Sequence, residues 1–222
     1  MRAVMNHAII IYAVDIGSEK GGNLAWCRLH ASTGQVDGKG ESLTTLAASL
    51  LSDLKADTKV AIGFECPLVL DLRANPKNLT DARSGEGNRP WSAGAGGAVL
   101  AVGAVQTAWL FRELADARAA ASATFDWAEF VSGRANLLIW EAFVSNKPAG
   151  HSYTHHDDAF AAASAFRRAI TSEDGPSSVL TIEAPYSMAA AALLRAGLSS
   201  DVSLLSKPCL VLRAQPGDYY TG

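Results

Sequence analysis

AIIIYAVDIGSEKGGNLAW, residues 8–26, sets the problem of this chain. The unbroken apolar, β-branched run up to Val14 reads as a strand buried on both faces, yet it ends on a carboxylate, Asp15, with Gly17 turning the chain just beyond. A buried carboxylate without a partner costs several kcal/mol or takes up a proton. Asp15 therefore requires a partner from elsewhere in the chain.

Working outward, residues 23–31 read as a second strand joined to the first by Gly21-Gly22, and residues 35–39 as a weaker third. Leu43, Leu46, Leu50 and Leu51 recur at helical spacing behind Ser42, a residue type that caps helix N-termini, which predicts a helix over 42–54. Residues 59–66, KVAIGFEC, form another buried strand stopped by Pro67. A helical crossover between strands 8–15 and 59–66 makes them parallel and adjacent. Asp15 and Glu65 then share the C-terminal edge of the sheet, where ligands gather in open sheets with parallel strands. Two like charges side by side repel strongly unless a cation lies between them, and a site of carboxylate oxygens suits Mg²⁺ or Mn²⁺.

A third acid comes from THHDDAFAAASAF, 154–166, at the start of an alanine-rich helix expected over 154–170. Thr154 followed by Asp157 forms a capping-box pattern, which gives Asp157 a structural role. Asp158 has less of one, that of an acid at a helix N-terminus, and His155 lies on its face three residues earlier. The small side chains that follow allow this helix to approach the sheet closely, bringing Asp158 toward the two strand ends.

Beyond residue 66 the pattern breaks. Residues 67–97, with RSGEGNRPWSAGAGG, forbid a long regular element, and loops of that length are commonly functional. Arg73, Lys77, Arg83 and Arg89 punctuate the loop ahead of Trp91; beside a metal they would grip phosphates while Trp91 stacks on a base. The alternative is that these arginines pair with Asp71, Asp81 and Glu86. Helices are expected over 98–118, 126–131 and 187–196, and strands over 136–145, with Glu141 inside it, over 178–183, and within 204–213.

At 222 residues and 49% hydrophobic, the chain suits one domain, 1–222. A formal net charge of −3 gives no global attraction to polyanions. Cys27, Cys66 and Cys209 are widely spaced and odd in number, which excludes a disulfide framework or zinc motif and points to a reducing compartment. No run of roughly 18 apolar residues suggests a membrane span, so a cytoplasmic protein without membrane contact is expected.

The order strand, strand, strand, helix, strand, with Asp on the first strand, Glu on the fourth and Asp opening a late helix, resembles the ribonuclease H-like superfamily and its Holliday-junction resolvases. VDIGSEKGGNLAW, IGFECPLVLDLR, DARSGEGNRPW, IWEAF and HHDDAFAAA together resemble the domain of unknown function 429 family, described as predicted nucleases. Asn23-Leu24-Ala25 stand here between the glycines and Trp26, Glu65 takes a place where that family more often has Asp, and EAFVS, 141–145, lacks its proline and second acid. The resemblance implies a ribonuclease H-like three-layer α/β fold, with a central mixed sheet flanked by helices, and magnesium-dependent phosphodiester hydrolysis by two metal ions. Asp15, Glu65 and Asp158 would be the metal ligands, with His155 as proton carrier or orienter. Nucleic acid or a phosphate ester would be the substrate, and junction cleavage would favour a homodimer.

Two other readings use the same residues. Asp-Ile-Gly-Ser also resembles the first phosphate loop of the sugar kinase, Hsp70 and actin group, but no second phosphate loop is visible. A non-catalytic scaffold or dimerisation module would keep the acids for structure alone.

Overall fold

The computed structural model describes residues 8–87, 90–117, 121–145 and 147–219. Strand β1, Ile9–Asp15, is buried along its whole length because it lies inside a sheet covered on both faces. β2, Ala25–His30, pairs antiparallel with it, and β3, Val36–Gly40, pairs antiparallel with β2. Helix α1, Leu43–Lys55, starts where Ser42 accepts a hydrogen bond from the Thr44 amide. It carries the chain over to β4, Lys59–Phe64, parallel to β1 in the register Ile9 to Lys59 through Val14 to Phe64.

After two short elements, β5 (Val69–Asp71) and β6 (Ala123–Thr124), strand β7, Leu137–Phe143, lies parallel to β4. β6 and the last strand, β9 (Leu210–Arg213), both pair in parallel with β7. The mixed sheet of seven strands has the order β3-β2-β1-β4-β7-β6, with β9 also on β7.

Strand alternation divides the core. Ile10, Tyr12 and Val14 pack with Leu46, Leu50 and Leu54 of α1, Leu110, Phe111 and Leu114 of α2 (Ala95–Asp116), and Leu193 of α5 (Met188–Ala196). Ile9, Ile11 and Ala13 pack on the other face against Phe130 of α3 (Trp127–Ser132) and Ala159, Ala162, Ala163 and Phe166 of α4 (His155–Thr171). Helices thus flank the sheet on both sides. The alanines let α4 lie so close that Cys27 Sγ donates to the Ala159 carbonyl at 3.3 Å. Gly63 serves the same layer: a Cβ there would come within 2.2 Å of the Trp140 indole, which stacks on Phe166 at 4.8 Å between centroids.

One expected strand is absent. Residues 178–183 make the isolated bridge of Thr181 to Ser84 and one backbone hydrogen bond, Val179 amide to the Val211 carbonyl, but no ladder, while the Leu180 and Val211 amides turn to the Ser178 hydroxyl. Pairing instead occurs just beyond, where β8, Pro185–Ser187, runs antiparallel to β5. The stretch 67–97 therefore holds a short strand as well as the start of α2. At 22 residues, α2 is also long and apolar enough to cross a membrane by length and composition, contrary to the expectation from apolar runs. Here its inner face packs on the sheet, while Val105 is 70% exposed.

Candidate metal and active site

Register and alternation bring the acids together. Asp15 is the last residue of β1, and Glu65 follows β4 by one position, its amide donating to the Val14 carbonyl at 2.8 Å. Both continue the odd-numbered face that packs on α4. At the start of α4 the capping box forms as expected: Thr154 Oγ1 accepts from the Asp157 amide, and Asp157 Oδ2 accepts from the Thr154 amide at 2.7 Å. With Asp157 occupied in the cap, the next residue, Asp158, turns inward and is buried. His155, one turn behind it, places Nδ1 2.6 Å from Asp15 Oδ2. One ligand atom each from Asp15, His155 and Asp158 lie within 4.8 Å of one another.

The partner that Asp15 demands is thus His155. Asp158 has its own partners: the Lys147 ammonium at 2.5 Å from Oδ2, and the Tyr219 hydroxyl, which donates to Oδ1 at 3.4 Å. Glu65 is only partly buried as a residue, but its Oε2 is enclosed and has no hydrogen-bond partner. Burial, and then the charges of Asp15 and Asp158, push the Glu65 carboxyl well above the usual range. Burial likewise raises Asp15, against the opposing pull of His155.

These residues fit a divalent cation. The ligand atoms that meet are those of two carboxylates, Asp15 and Asp158, and the His155 imidazole, while Glu65, expected as a ligand, stands outside that set with its enclosed Oε2 unpaired. Asp15, Asp158 and His155 would hold Mg²⁺ or Mn²⁺. The imidazole of His155, expected as a proton carrier, is also within ligand range.

The arginines behave otherwise. Arg83, expected to grip phosphate, is a core residue 2% exposed. Its guanidinium forms a bidentate pair with Glu141 at 2.7 and 2.9 Å and also meets Glu86 Oε1 at 2.9 Å and the Val69 carbonyl at 2.9 Å. Two buried carboxylates take up all its charge, so it has none to offer a substrate. Glu141, on the opposite sheet face from Asp15, is further fixed by the Leu68 amide at 2.9 Å. Arg73 is held by the Ala82 carbonyl at 2.6 Å, with Asp71 and Asp81 3.6 and 3.5 Å away. The pairing with Asp71, Asp81 and Glu86 is therefore the arrangement found. Arg89 lies outside the described residues.

Trp91 does reach the site. It lines a cavity of about 560 Å³ whose wall also includes Asp15 and Glu65. Sequence reasoning missed Lys147 and Tyr219 as partners of Asp158. Lys147 is a single lysine in an irregular loop and Tyr219 lies near the far end of the chain, so neither belongs to a pattern.

No protein-family model matches this chain, and no curated protein or solved structure matches it either. Fold and site define an α/β protein with a mixed seven-stranded sheet flanked by helices and a cluster of acids at one sheet edge.

Proposed function

We propose that this chain is a Mg²⁺- or Mn²⁺-dependent phosphodiester hydrolase of the ribonuclease H-like type. The observation that carries the reading is the meeting of Asp15, His155 and Asp158 at one sheet edge, with Glu65, whose Oε2 is enclosed and unpaired, just past the end of the neighbouring strand. The antiparallel β1-β2-β3 meander followed by parallel β4 and β7 supports the ribonuclease H-like part.

A bound divalent ion would polarise the phosphoryl group and acidify water. The chain's own residues do the rest. Asp15 and Asp158, with Glu65 and His155 beside them, would hold the cation, while Lys147 pairs with Asp158 and the Tyr219 hydroxyl donates to it. His155, 47% exposed at its side chain, sets Nδ1 against Asp15 and stands open to solvent, the place a proton carrier needs. Wild-type protein with Mn²⁺ should hydrolyse bis(p-nitrophenyl) phosphate or an oligonucleotide, and Asp15→Asn should abolish that turnover. Turnover unchanged in Asp15→Asn overturns the reading.

A second reading has its own support. Lys147 already pairs with Asp158 and His155 with Asp15, as they would in a scaffold that keeps its acids for structure. Such a scaffold would bind no divalent ion.

A further inference from the structure

We infer that the cavity beside Asp15 and Glu65 receives a planar aromatic group carrying a phosphate ester, in the manner of a nucleoside monophosphate. The inference rests on the hydrolase reading, whose substrate class it narrows.

Three observations lead there. The cavity, about 560 Å³, is of the size that encloses small ligands and too small to admit a duplex. Apart from the acids it is walled mainly by apolar groups, among them Trp91, Pro67, Pro90, Val99 and Phe143. Such a wall desolvates a flat ring, and the indole of Trp91 offers it a stacking face. The described arginines of this loop are engaged internally, Arg83 by Glu86 and Glu141 and Arg73 by Asp71 and Asp81. A run of phosphates thus finds no guanidinium track among the described residues, and the chain's formal charge of −3 adds no attraction. What remains is one largely apolar compartment, open on one side and bordered by Asp15 and Glu65 and by the internally paired Arg83, Glu86 and Glu141, a shape that suits a single phosphate with an aromatic substituent. The first turn of α2, Ala95 and Gly96, forms part of the same wall and has no side-chain cap. Asp15 and Glu65 line the same cavity, so the phosphate would sit between backbone amides and these acids.

The test is calorimetric titration of adenosine monophosphate and of ribose phosphate, with Mn²⁺ present, into wild type, Trp91→Ala and Trp91→Phe. Adenosine monophosphate should bind wild type and Trp91→Phe alike and bind Trp91→Ala about tenfold more weakly. Ribose phosphate should bind weakly and be indifferent to Trp91. Equal binding of the two ligands, adenosine monophosphate binding that ignores Trp91→Ala, or binding of duplex DNA alone overturns the inference. A Mn²⁺ titration without nucleotide separates the two layers of argument. Mn²⁺ binding without nucleotide binding overturns the cavity assignment and leaves the hydrolase reading standing. Trp91-dependent nucleotide binding without Mn²⁺ binding upholds the cavity assignment and overturns the hydrolase reading.

Discussion

Two acid clusters sit at the same edge of one sheet, both touching the same cavity, and they are built to opposite rules. In the first, Glu141 and Glu86 surround Arg83, and the guanidinium answers them with short hydrogen bonds. Burial pushes the Glu141 carboxyl up, but Arg83 and the Leu68 amide pull against it. In the second, the partners of Asp15 and Asp158 among the described residues are a histidine, a half-exposed lysine and a tyrosine hydroxyl, and one enclosed oxygen of Glu65 is unpaired. Composition does not separate the clusters. What separates them is whether a fixed, permanently charged partner completes the set, and the incomplete set is the one with chemistry left to do.

The largest effect should come from breaking the complete cluster. Arg83→Met strands two buried carboxylates and should cost about 3–5 kcal/mol in chemical denaturation. Arg83→Lys should recover only part of this, since an ammonium cannot reproduce the bidentate fork. A loss below about 1 kcal/mol for Arg83→Met would mean that the network is not what holds the loop 82–87 to β7.

The incomplete cluster should respond with the opposite sign. Glu65→Gln removes an acid whose charged form burial and the neighbouring carboxylates disfavour, so the metal-free protein should gain about 0.5–2 kcal/mol at neutral pH while losing divalent-ion affinity. The pH dependence follows from the raised carboxyls of Asp15 and Glu65. Their ordinary values are 3.8 and 4.5, and the folded state keeps protons above them that the unfolded chain has lost. Folding stability should therefore fall as pH rises from those values through the folded-state titrations. Denaturation midpoints across pH should show this slope in wild type, a shallower one in Glu65→Gln, and its relief by Mg²⁺.

Much of this arrangement was legible in the sequence because it is local or follows from topology. The apolar run into Asp15, the crossover helix behind Ser42 and the strand into Glu65 fix two acids at one edge. The capping box at Thr154 and Asp157 frees Asp158 to turn inward. What was illegible depends on partners distant in sequence. Arg83 finds Glu141 58 residues away, and nothing near Arg83 distinguishes a core arginine from a phosphate clamp. β5 and β8 are three residues each and recognise one another across the fold, so their apolar patterns are too short to read. Lys147 and Tyr219 gain their meaning only from Asp158.

A smaller effect should come from Lys147, whose side chain is 43% exposed. Lys147→Met should cost the metal-free protein no more than about 1 kcal/mol, yet Mn²⁺ affinity should rise about fivefold because a competing charge is gone. A fall in affinity would make Lys147 a positioning residue that Asp158 needs in order to bind the ion. The smallest effect belongs to Arg73, in a partly exposed pair: Arg73→Ala should shift stability by about 0.5 kcal/mol or less.

The most direct test of the contrast is calorimetric titration of Mn²⁺ into wild type and Asp15→Asn, a change that keeps shape and removes one charge. The account predicts saturable binding by wild type and its loss in Asp15→Asn. Absence of binding by wild type, or equal binding by both proteins, would contradict it and leave the cluster as part of a scaffold.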